Sequence, residues 1–152
     1  MIKNITTDVT YASVQDAINA VPNPLDKDYT IEVSGEGSPI TGFDYKYKTT
    51  DGFKLTITSP DGAEVNDSTD SPIEISGSGI QDIDIVGFTI KGFTNGGIYL
   101  NNSASARVID CTIEGGYKCI RTYQHGTITV DGCTLTGTGA NEVLTFHSGG
   151  DS

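Results

Sequence analysis

The second half of this chain carries one motif three times. Residues 83–92 read IDIVGFTIKG, 107–115 read RVIDCTIEG and 129–137 read TVDGCTLTG. Set in register, Ile85, Val108 and Val130 coincide; so do Phe88, Cys111 and Cys133, and Ile90, Ile113 and Leu135, with Gly92, Gly115 and Gly137 closing each copy. Ile85 to Val108 is 23 residues and Val108 to Val130 is 22. Apolar and polar residues alternate within each copy, as they do on a strand that buries one face. One such copy cannot bury that face alone, so a period of this length constrains the chain to a solenoid in which each turn pairs with the next. A second ladder shares the period: Ile98-Tyr99-Leu100, Ile120-Arg121-Thr122 and Val143-Leu144-Thr145.

The first half is less regular. SVQDAINAV, residues 13–21, has the spacing of a short amphipathic helix: Ser13 and Asp16 fit a capping box, Val14, Ala17, Ile18 and Val21 share a face, and Pro22 and Pro24 stop it. A lone helix of this kind is expected to cover the open end of the solenoid. Residues 29–33, 53–58 and 72–76 alternate as strands, with turns at Asp51-Gly52 and Asp61-Gly62. GFDYKYK, residues 42–48, is read as an irregular excursion from the early turns. The expected organisation is therefore a cap over residues 1–28 and β turns over 29–152, regular from about residue 80. In this register Lys91 lies over Glu114 and Asp84 over Arg107, cross-strand pairs that make a repeat surface soluble.

A chain of 152 residues is one domain. Its formal charge of −11, with only nine Lys plus Arg, would be repelled by a phosphate backbone or an anionic membrane surface, so neither nucleic acid nor membrane is an expected partner. The opening MIKNITTDVT has no apolar run of the signal-peptide kind. Assembly in the cytoplasm, with release in a larger particle, is the expected route. Three cysteines cannot complete a disulfide framework. Cys111 and Cys133 occupy inward positions and are expected as buried thiols, whereas Cys119, elsewhere in the turn, is the one expected to be exposed.

Turns of 22–23 residues, Gly-terminated strands and stacked Val, Cys and Ile positions resemble the right-handed parallel β-helix of the pectin-lyase-like superfamily. YASVQDAINAVP, residues 11–22, resembles the helical cap of pectinesterases, and the likeness covers roughly residues 11–147. It implies an all-β, right-handed parallel β-helix solenoid with a short N-terminal capping helix. For activity it implies a range: polysaccharide lyases, hydrolases, esterases, epimerases, phage tailspikes and non-catalytic modules. The pectinesterase catalytic Gln and paired Asp segments have no counterpart beyond the cap. Of the polygalacturonase segments, only Gln124-His125-Gly126 approaches Gly-His-Gly, and it departs at the first residue; no Asp-Asp pair occurs. Fold alone does not choose an activity.

Sugar chemistry needs two carboxyl groups about one bond, or a base with a cation that neutralises a uronate. The best cluster is Glu74, Tyr99, Arg121 and Tyr123: the second ladder sets Tyr99 over Arg121 on the outer face, Tyr123 lies two residues on, and Glu74 joins if PIEIS is the preceding turn. An aromatic and Arg strip suits a saccharide ring and its carboxylate. It equally suits a protein interface, and as plain surface it needs no role. His125 and His147 are not spaced as ligands of one metal, and no cofactor or metal motif is found. His125 is expected in a turn and His147 near the C-terminal end. Asp110, aligned with Gly87 and Gly132, is read as a turn residue, and Asn101-Asn102 as the start of another turn. After residues 142–147 only SGGDS follows, so the last turn is expected to expose unpaired backbone and dock on other subunits. The function expected is a non-catalytic structural or adhesive module, a virion component such as a capsid decoration, tail or fibre protein. The alternative is a small lyase, hydrolase or esterase acting on an acidic polysaccharide.

Overall fold

The computed structural model describes residues 1–35, 39–68, 70–138 and, for the backbone, 144–146. Strands β1 (Ile2–Asn4) and β2 (Val9–Tyr11) pair antiparallel, and helix α1 (Val14–Ala20) follows. Strand β3 (Tyr29–Val33) runs antiparallel to β1 and opens a stack of parallel strands. It forms the first turn with β4 (Phe43–Lys46), while Ile40 bridges to Val65 between them. Four three-strand turns succeed it. The first is β5 (Leu55–Thr58), β6 (Glu64–Asn66) and β7 (Ile73–Ser76); the second is β8 (Ile83–Val86), β9 (Thr89–Lys91) and β10 (Gly96–Asn101). The third is β11 (Ser105–Ile109), β12 (Thr112–Glu114) and β13 (Lys118–Thr122), and the last is β14 (Thr127–Asp131), β15 (Thr134–Thr136) and β16 (Leu144–Phe146). First, second and third strands of successive turns line up as three parallel sheets, so the molecule is the all-β parallel solenoid with one short helix near its N-terminus.

The interior consists of vertical columns. Ile31, Ile57, Ile85 and Val108 stack in the first sheet, Val65, Ile90 and Ile113 in the second, and Phe43, Ile73, Ile98 and Ile120 in the third, all buried. Each such side chain contributes about 1.5–3 kcal/mol relative to leaving it in water, and β-branching suits the pleated, half-buried surface. At the corner after the first strand, Gly87, Asp110 and Gly132 occupy one position in consecutive turns with φ of 77°, 51° and 64°. The chain bends there through left-handed backbone, which Gly and, less readily, Asp accept. Asp110 is thus the turn residue expected, its carboxylate leaning over Gly132 where a Cβ would stand. Asn102 and Ser103, and in the next turn Gln124 and His125, are also left-handed, so the Asn and His turns fall where expected.

The cap is fastened at both ends of the helix. Ser13 Oγ accepts from the Asp16 amide at 3.0 Å and donates to Asp16 Oδ2 at 2.7 Å. Lys48 Nζ donates to the carbonyls of Ile18, Asn19 and Val21 at 2.9, 2.8 and 2.6 Å, satisfying groups that a helix end leaves unpaired. Gln15 uses its amide as a strand residue would: Oε1 accepts from Asp44 N at 2.8 Å and Nε2 donates to Asp44 O at 3.1 Å. The free edge of β4 is thereby covered.

Three expectations need correction. Residues 43–46 are not an excursion but β4, in register with β7 through Phe43–Ile73 and Lys46–Ser76; the buried pairs Phe43–Ile73 and Tyr45–Ile75 outweigh the irregular spacing. Cys119 is fully buried and Cys133 is the partly exposed thiol, because the first residues of β13 turn inward while Cys133 sits in the last described rung. In the third sheet Ile120 pairs with Leu144 and Thr122 with Phe146, one residue beyond the expected alignment on Val143. His147 lies outside the described residues.

Among the described residues, β14, β15 and β16 pair on one side only. Ile128, Val130, Cys133 and Leu135 are half-buried there, whereas their equivalents Ala106, Val108, Cys111 and Ile113 are at most 2% exposed.

Tyr45 is the largest fully buried side chain, and its hydroxyl has no hydrogen-bond partner among the described residues. Burial raises its pKa from 10.0 to about 12, and that of Cys111 from 9.0 to about 11. Both folded-state values lie above the unfolded ones, so this stability is complete below pH 9 and is lost as pH rises from 9 towards 12. Urea melts across that range are expected to show the decline. Tyr45→Phe, which removes an unsatisfied buried hydroxyl, is expected to raise stability at neutral pH by about 1 kcal/mol and to flatten the alkaline decline.

Candidate functional site

The outward positions of the third sheet bring the sequence-derived residues together. Asp44, Glu74, Tyr99 and Arg121 are register partners in consecutive turns, one strand spacing apart. PIEIS is therefore the turn below Tyr99, and Glu74 joins the row. The Arg121 guanidinium lies over the Tyr99 ring with Cζ 5.1 Å from its centroid, a cation–π contact. It can lie flat because the residue beneath is Gly96; a Cβ there would stand 2.9 Å from Arg121 Cδ. Tyr123 follows β13, its amide donating to Leu100 O at 2.9 Å, and the residue is 40% exposed. Partial burial raises the Tyr99 phenol pKa, against the opposing pull of Arg121.

Below Tyr99 the face opens into a groove of about 400 Å³, lined by Gln15, Asp44, Asp67, Asp70, Ser71, Glu74 and Tyr99 among others. Its carboxylates come from three places: β4, β7 and the loop between β6 and β7. Lys46 Nζ bridges two of them, 2.8 Å from Glu74 and 3.3 Å from Asp44. Burial pulls the Lys46 pKa down, but its hydrogen bonds to Glu74 and Asp44 outweigh that and the net shift is upward. Asp67 Oδ2 accepts from the Gly42 amide at 3.0 Å. Ser71 Oγ is buried without a hydrogen-bond partner among the described residues.

Asp44, Lys46, Asp67 and Asp70 were missed in the sequence. Reading FDYK as a strand in register with IEIS would have placed Asp44 over Glu74; nothing in NDSTDSP signals that its loop folds back to the same groove. His125 stands in its turn, apart from these groups. Among the described residues no cluster of His, Cys, Asp or Glu is arranged to hold a metal ion.

The elements of the site thus recur once per turn on a solenoid face. The family model described as a right-handed β-helix region matches residues 29–150. No curated protein and no solved structure matches the chain.

Gly96→Ala is expected to displace the Arg121 side chain from Tyr99 while leaving the fold intact, since the obstructing atom belongs to a flexible stem. Loss of the ring-current shift on the Arg121 side-chain protons, with an unchanged melting temperature, is the expected result.

Proposed function

Since the chain belongs to the right-handed β-helix family, we propose that it is a non-catalytic structural or adhesive module that contacts a protein assembly or a surface glycan through the outer face of its third sheet. The observation that carries this is the row Glu74–Tyr99–Arg121, with Tyr123 beside it and the carboxylate-lined groove below. A flat strip of Tyr and Arg offers rigid contact area at small entropic cost, and the carboxylates accept hydrogen bonds from hydroxyl or amide donors. A virion, with the protein as capsid decoration, tail or fibre component, is the proposed setting. The half-buried apolar residues of the last described rung support docking on other protein subunits.

The competing assignment is an enzyme on an acidic polysaccharide. Against it stand Asp44, Asp67, Asp70 and Glu74, which surround the groove with negative charge and oppose a uronate. Lys46 also engages both Asp44 and Glu74, the two carboxylates on adjacent strands.

The test is binding of the native protein to a glycan panel and to virion proteins, with light scattering for its mass and a cleavage assay on acidic polysaccharides. A multimer or particle-bound protein that cleaves nothing is the expected result. Arg121→Ala and Tyr99→Ala are each expected to weaken the contact about tenfold, roughly 1.4 kcal/mol, with the melting temperature unchanged. A monomer that releases sugars, with release lost in Arg121→Ala, would overturn the proposal.

A further inference from the structure

We propose that Cys111 and Cys133 are a disulfide-forming pair that staples the last two described turns of the solenoid when the protein meets a small-molecule disulfide. Both are free thiols. They stand immediately before β12 and β15, whose Thr112 and Thr134 are register partners. Their Cα atoms are therefore one strand spacing apart, about 4.8 Å, within the roughly 4.4–6.8 Å that disulfides span.

The sulfurs repeat one another as well. Cys111 Sγ donates to Ile85 O at 3.6 Å and Ile109 O at 3.4 Å; Cys133 Sγ donates to Val108 O and Asp131 O, both at 3.4 Å. Ile85 and Val108 are register partners, as are Ile109 and Asp131. The Cys111 amide also donates to Cys133 Sγ at 3.3 Å, so the Cys133 sulfur already leans towards Cys111. Closing the bond then calls for rotation of the two side chains and no exchange of strands.

Access orders the chemistry. Cys133 is partly exposed, whereas Cys111 and Cys119 are buried. The Cys133 thiolate attacks the small-molecule disulfide, forming a mixed disulfide and releasing one small thiolate. The Cys111 thiolate then attacks the Cys133 sulfur and expels the second. Two protein thiols and one small disulfide become one protein disulfide and two small thiols, with the two protons passing to the released thiolates. Burial pushes the Cys111 pKa up to about 11, so the second step is the slow one. Cys119 points elsewhere, donating to Ile113 O at 3.4 Å, and stays reduced. The link would close a loop around one full turn at the end where β14 and β15 have no outer neighbour among the described residues.

The experiment is incubation of the native protein with oxidised glutathione, followed by acid quench, denaturation, alkylation and peptide mass spectrometry. The chain's three thiols are expected to fall to one, carried by Cys119, with a linked Cys111–Cys133 peptide. Cys119→Ser is expected to cross-link equally well, and Cys133→Ser to leave Cys111 alkylatable. Three surviving thiols, glutathione retained on Cys133 beside a free Cys111, or links to Cys119 in comparable yield would each overturn the proposal.

Discussion

Parallel in-register stacking is the constraint on which the molecule depends. Each strand residue of an inner turn has its counterpart directly above and below, so a column must be uniform in character along the stack. Inside, Ile31, Ile57, Ile85 and Val108 satisfy that demand with one kind of side chain. Outside, like charges stacked on one another are costly, so opposite charges are paired across turns or, where Asp44 stands over Glu74, a cation bridges the two. Asp84, 6% exposed, is held by Arg107 Nε and Nη2 at 2.8 and 2.5 Å from above and by Lys54 at 3.5 Å from the turn below. Lys91 similarly lies between Glu64 and Glu114.

The candidate site follows from the same rule. Asp44, Glu74, Tyr99 and Arg121 are adjacent because each takes the same outward position in its own turn, although they are far apart in the chain. A face built this way has a repeat of one strand spacing along the stack, and it is graded: carboxylates near the cap, an aromatic ring in the middle, a guanidinium beyond. Gln15 ties that face to the cap by holding the edge of β4, so the acidic end of the groove is anchored to the helix.

What could be read from the sequence was set by how uniform the columns are. Ile85, Val108 and Val130 reveal their stacking because three β-branched residues recur at nearly constant spacing. Tyr99 and Arg121 inherit their placement from Ile98 and Ile120 on either side of the same rung. Phe43 to Lys46 escaped because the loop to β7 lengthens that turn and aromatic residues fill the inward positions where aliphatic ones stand elsewhere. Asp67 and Asp70 escaped because loops follow no period. Cys119 was misjudged because Cys119 and Ile120 are consecutive and both buried, which alternation does not anticipate.

At the N-terminal end of the stack two of the three sheets change character. Strand β1 meets β3 in the antiparallel sense, and the Gln15 amide occupies the edge of β4. In the first sheet the outermost strand at this end is β2, which pairs antiparallel with β1, and in the third sheet Gln15 already occupies the edge of β4. A further turn laid against this end would therefore not repeat the in-register contact that joins the inner turns, which is the contact a head-to-tail fibre of identical subunits would have to reuse.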